Sequence, residues 1–66
     1  MKITLKAARV NAGMTQREAA KAINVSRISI QSWENGWTNI SAVNLLKLCK
    51  LYNVTPEDIF FADKHS

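Results

Sequence analysis

Short stretches with apolar residues at helical spacing recur along the chain, each opened by Ser or Thr and closed by Gly or Asn, and this punctuation predicts helices. Thr4 caps a first helix whose inner face is Leu5, Ala8 and Ala12 with Val10 nearby; Gly13 ends it and Met14 packs the joint. Thr15 opens a second helix. Glu18 stands three residues later, the spacing at which cap and carboxylate satisfy each other's backbone donors, and Ala19, Ala20 and Ile23 form the buried stripe. Asn24 tolerates the left-handed conformation that a tight turn demands, Val25 plugs the elbow, and Ser26 caps a third helix from about Arg27 to Glu34. Asn35 and Gly36 end it. A polar loop, Trp37 to Ile40, leads to Ser41, the cap of a fourth helix with the periodic set Val43, Leu46, Cys49 and Tyr52, flanked by Lys50. Thr55-Pro56-Glu57-Asp58 supplies an N-cap, a proline at the first helical position and acids in the first turn, so a short fifth helix is predicted. Nowhere do β-branched residues alternate for long. The chain therefore reads as all-α: one compact five-helix domain over residues 1–62, with a mobile tail at 63–66.

Of these elements the third helix carries the chemistry. Ile30 and Trp33 face inward at i, i+3 spacing, which leaves Arg27, Ile28, Gln31 and Ser32 on or near the outer surface. A capped helix set by a tight turn against a second one, with its leading side chains exposed, is a probe for base edges in the major groove.

Composition narrows the choice. Sixty-six residues, 47% hydrophobic and 21% charged, make one globular domain with a marginal core, since chains of this size bury only about 60% of their extended surface. Leu45 to Tyr52, the most apolar stretch, is interrupted by Lys47 and Lys50, so no membrane span is expected; the amino terminus lacks a signal-peptide core, which predicts a cytoplasmic protein. Cys49, the single cysteine, reads as core filler, and with His65 alone in the tail no metal site or cofactor is expected. Paired carboxylates and nucleophile–base sets are lacking too, so the chain does not read as an enzyme. Charge is unevenly placed. Residues 1–36 carry Lys2, Lys6, Arg9, Arg17, Lys21 and Arg27 against Glu18 and Glu34, net +4, while residues 37–66 sum to zero. The whole excess sits in the part that contains the helix pair, as a polyanion partner requires.

Leu5, Arg9, Thr15, Gln16, Ala19, Val25, Ser26, Ile30 and the run Trp33 to Gly36, followed by the L-L-K-L-x-K-x-Y-x-V pattern and Ile-Phe ending of Leu45 to Phe60, resemble the lambda-repressor-like (XRE/Cro) helix-turn-helix family. Asn24 stands where that family usually has Gly, and Ile40 where Pro is common, a departure expected to reshape the loop after the third helix. The resemblance implies that Arg9 pairs with Glu34 to set the angle of the recognition helix. It also implies that Gln16 contacts phosphate and braces the first base-contacting residue, with Thr15 beside it and Arg17 in the same DNA-binding set. Arg27 suits guanine O6 and N7 or a phosphate, and both assignments stay open. An exposed Ile28 suits a thymine methyl group. Ser29, Gln31 and Ser32 complete the helix surface, and Asn35, Trp37 and Thr38 stand where relatives contact the phosphate backbone; Trp37 replaces a more usual basic residue. In phage relatives the last segment forms a dimer interface, which makes Ile59, Phe60 and Phe61 its candidates here, with completion of the monomer core as the alternative.

The expected function is that of a sequence-specific transcriptional regulator, Cro-like in size, binding double-stranded operator DNA, as a homodimer in the manner of its phage relatives. The alternative is an antirepressor or antitoxin-like module whose helix-turn-helix surface engages a second regulator protein, because Ile28 and Trp37 are apolar on the face meant for DNA.

Overall fold

A computed structural model describes residues 2–61; the tail assigned to 63–66, and residue 62, lie outside the described residues. Among the described residues four α-helices follow one another: α1 (Leu5–Asn11), α2 (Gln16–Ile23), α3 (Arg27–Asn35) and α4 (Ala42–Tyr52). Each starts where the sequence placed a cap. Thr4, Thr15, Ser26 and Ser41 accept hydrogen bonds from the backbone NH groups of Ala7, Glu18, Ser29 and Asn44, and Glu18 completes the reciprocal box on Thr15. Helices of 7 to 11 residues are marginal alone, so these caps and the tertiary contacts must hold them together. Asn24 closes α2 at φ 60°, ψ 49°, in the left-handed region that the tight turn was expected to demand of it.

The predicted fifth helix is instead a single 3-10 turn, Pro56–Asp58. It stops because Ile59 turns extended (φ −86°, ψ 131°) and the backbone beyond it serves the other end of the chain. The Ile3 NH donates to the Asp58 carbonyl at 2.8 Å and the Phe60 NH donates to the Ile3 carbonyl at 2.8 Å, forming an isolated parallel bridge between Ile3 and Ile59. These bonds satisfy groups that a longer helix would have used internally. They also seat Ile59 in the core at 7% exposure.

Leu5, Ala8, Ala19, Ala20, Ile30, Leu48, Cys49, Tyr52 and Ile59 make up the buried cluster, with Ile3, Met14, Ile23, Val25, Trp33, Ile40, Leu45, Leu51 and Val54 packed around it. Small side chains at Ala19 and Ala20 let α2 approach its neighbours closely, and its contacts are mostly with α3. Ile40, where the loop was expected to be reshaped, is half-buried against this core. Two expectations about facing were wrong. On α1, Val10 is exposed, as is Ala12 at its C-cap, and the third buried position after Leu5 and Ala8 is Arg9. On α4 the inward line is half-buried Leu45 with buried Leu48, Cys49 and Tyr52, spaced i, i+3, i+4, i+7, while Val43 and Leu46 point outward. That helix is apolar on two sides, so periodicity alone offered both stripes.

Replacing Leu48, which is 1% exposed, by Ala is expected to cost about 2–5 kcal/mol through lost transfer energy and a cavity. Leu46→Ala, at a surface position, is expected to stay within about 0.5 kcal/mol. Urea denaturation of the two variants reads the difference, and equal losses would overturn the facing of α4.

Candidate nucleic-acid interface

The site is organised from inside the protein. Arg9, on α1, lays its guanidinium against the carboxylate of Glu34 near the end of α3, 25 residues away in sequence: Nε donates to Oε2 at 2.7 Å and Nη2 to Oε1 at 3.2 Å. Both side chains are nearly covered, at 9% and 3% exposure. The remaining Nη1 donates to the Met14 carbonyl at 2.8 Å, so the joint between α1 and α2 is bound to the same group. This fork is the strong form of an ion pair, geometrically specific as well as attractive. The Glu34 hydrogen bond pushes the Arg9 guanidinium further above its ordinary pKa than burial pulls it down.

A relay runs outward from the pair. Gln16, the first residue of α2, donates Nε2 to Glu34 Oε1 at 3.0 Å, which fixes which end of its amide faces outward. Its Oε1 then accepts from Arg27 Nη1 at 3.2 Å. Arg27 is exposed at the first turn of α3, so its head group is tethered at one nitrogen while the rest of the fork faces solvent.

Around the axis of α3, Ile28, Gln31, Ser32 and Asn35 share the outward stripe at i, i+3, i+4, i+7, opposite buried Ile30. Ile28 is 56% exposed. Ser29 lies off this stripe, its hydroxyl 3.0 Å from that of Ser26, within the cap. Thr15 and Arg17 are exposed at the start of α2. After α3 the chain reverses through Gly36 at φ 73°, a conformation that suits glycine, with the Trp37 NH donating to the Ser32 carbonyl at 2.9 Å. Trp37 is left 64% exposed, and Thr38 is exposed beside it. Phe60 and Phe61 are half-exposed, whereas Ile59, the other dimer candidate, is covered.

Sequence reasoning missed two members of this constellation. The Arg9 bond to the Met14 carbonyl has no local signature. Tyr52, on α4, is buried against the same charges: its hydroxyl has no hydrogen-bond partner among the described residues, and burial first, then the Glu34 charge, pushes its pKa up to about 12. Cys49, one turn earlier, is buried as expected, and its thiol is pushed up by that burial. Among the described residues no helix is long and apolar enough to cross a membrane.

Residues 5–59 match the family described as helix-turn-helix. The chain is 37% identical to the HTH-type transcriptional regulator ImmR of Bacillus subtilis (strain 168), over 94% of its own length and 49% of that protein's. It is 38% identical to the HTH-type transcriptional regulator DicA of Escherichia coli (strain K12), over 85% of this chain and 42% of DicA. The chain thus spans about half the length of these two relatives. An uncharacterized HTH-type transcriptional regulator of Archaeoglobus fulgidus is 36% identical over 97% of this chain and 90% of its own.

Breaking either half of the buried pair leaves an uncompensated charge. Arg9→Leu and Glu34→Leu are each expected to cost about 3–5 kcal/mol, and the double variant less than their sum. Thermal or urea denaturation of the cycle measures the coupling; additive losses would mean that the two side chains do not act as a unit.

Proposed function

Because the chain belongs to the lambda-repressor-like, XRE-type helix-turn-helix family, we propose that it is a sequence-specific DNA-binding transcriptional regulator that lays α3 in the major groove of an operator. One observation carries this reading: a β-branched apolar side chain, Ile28, stands 56% exposed on the leading turn of α3, next to a guanidinium that Gln16 holds in place. Leaving such a side chain in water forfeits its transfer energy, and a thymine methyl group in the groove recovers it. The tethered Arg27 addresses an adjacent guanine or phosphate with the nitrogens that Gln16 leaves free. Asn35, Trp37 and Thr38 flank the phosphates at one end of α3. At the other, Thr15, Gln16 and Arg17 do so, where the first NH groups of α2 point outward. The net +4 of residues 1–36 supplies the sequence-independent attraction. Binding blocks access to the operator, in the cytoplasm where such DNA lies. Catalysis has no part in this reading.

Titration of operator-selected and random DNA at several salt concentrations tests it. The expected log–log slope is about −0.9 per phosphate neutralised, and Ile28→Ala should lose about 1–3 kcal/mol of preference at one thymine position while Arg17→Ala weakens all sequences alike. Failure of both DNA pools to bind below about 0.1 mM at low salt would sink the proposal.

Two half-exposed rings, Phe60 and Phe61, support a symmetric homodimer on a palindromic operator, with half-sites about one helical turn apart. Phe61→Glu should shift the monomer–dimer equilibrium toward monomer in sedimentation without unfolding the domain, and an unchanged equilibrium would remove the C-terminal segment from the interface.

A further inference from the structure

Away from α3, the C-terminal end of α2 and the second half of α4 enclose an open groove of about 470 Å³ lined by Ala22, Ile23, Asn24, Lys47, Lys50 and Leu51. Its floor is aliphatic and its rim carries two ammonium groups. Among the described residues neither lysine has a carboxylate partner. Beside them on the outer face of α4, Val43 and Leu46 are 63% and 56% exposed, although they belong to a helix that buries Leu48, Cys49 and Tyr52. Positions 43, 46, 47 and 50 form one stripe spanning about two helical turns, roughly 10 Å. An apolar half, Val43 and Leu46, therefore leads into a basic half, Lys47 and Lys50, whose lysines line the groove.

We propose that this α2/α4 face docks an acidic amphipathic helix of another protein, independently of the DNA-binding face. The apolar side of such a helix covers Ile23, Leu51, Leu46 and Val43, and carboxylates one turn apart meet Lys47 and Lys50, which are themselves three residues apart. Charge complementarity selects this occupant over the alternatives. A second copy of the chain in a two-fold arrangement would set the same lysines against themselves. DNA would satisfy the lysines but would leave the aliphatic floor facing phosphates. The face lies on residues that take no part in the relay from Arg9 to Arg27, so a docked regulator could ride on the DNA-bound protein without displacing it.

The test is a selection from a displayed library of stapled helical peptides on the intact protein, counter-selected on the Lys47→Glu/Lys50→Glu variant, followed by amide chemical-shift mapping. Enriched peptides should carry paired Asp or Glu one turn apart beside an apolar stripe, move the resonances of Ala22 to Asn24 and Lys47 to Leu51, and bind the variant about tenfold more weakly. The variant's circular dichroism and its affinity for operator DNA should be unchanged; a fall in operator affinity would assign the lysines to DNA and overturn the proposal. Enrichment of peptides without acids, equal binding to the variant, no enrichment, or binding to phosphatidylglycerol vesicles in place of peptides would each overturn it as well. None of these outcomes bears on whether α3 reads DNA.

Discussion

The buried fork between Arg9 and Glu34 is the constraint on which the rest depends. It joins the first helix to the end of the third across 25 residues of chain and is bonded in turn to the Met14 carbonyl and the Gln16 amide, so a single carboxylate fixes three helices against one another. Burying two charges is costly, and a pair of well-packed aliphatic residues could match its contribution to stability. What aliphatic residues could not supply is direction. Glu34 takes the amide nitrogen of Gln16, which forces the amide oxygen toward Arg27 and sets a guanidinium at the front of α3. The position of a surface probe is thus determined from within the core.

That arrangement also suits so small a domain. The core consists largely of small or medium side chains, Ala8, Ala19 and Ala20 among them, which bring helices close but each bury little area. Directional bonds compensate. Four side-chain caps, two left-handed asparagines and the pairing of Ile3 with residues 58 and 60 hold the ends of short helices that would fray in isolation. Ile59 gains its place in the core through that pairing, and as a result the segment after it presents Phe60 and Phe61 at the surface. One backbone bridge decides which aromatic or aliphatic groups remain available to a partner.

The surface divides into regions of different chemistry. The outward stripe of α3 is polar apart from Ile28, which suits the proposed fit in a groove walled by phosphates. The outer stripe of α4 is aliphatic and basic, which suits a partner that is itself amphipathic. Both stripes arise from helices whose opposite sides are committed to the same core, which fixes the direction each stripe faces.

Local chemistry was legible from the residues alone: the four helix starts at Thr4, Thr15, Ser26 and Ser41, the left-handed stop at Asn24, and the outward position of Ile28. Each depends on bonds or spacings within about four residues, which a sequence states directly. The facing of α4 was not legible, because Val43 and Leu46 fit a helical stripe as well as Leu45 and Leu48 do, and only the neighbours α1, α2 and the Pro56–Asp58 turn choose between them. The short fifth element was misjudged for a similar reason. Its start signal is local, but its end is dictated by backbone groups of Ile3, more than fifty residues earlier. The relay from Glu34 through Gln16 to Arg27, the buried Tyr52 hydroxyl beside it and the groove beneath Lys47 and Lys50 likewise exist only where distant elements meet, since hydrogen bonds and burial are decided by distance in space and not along the chain.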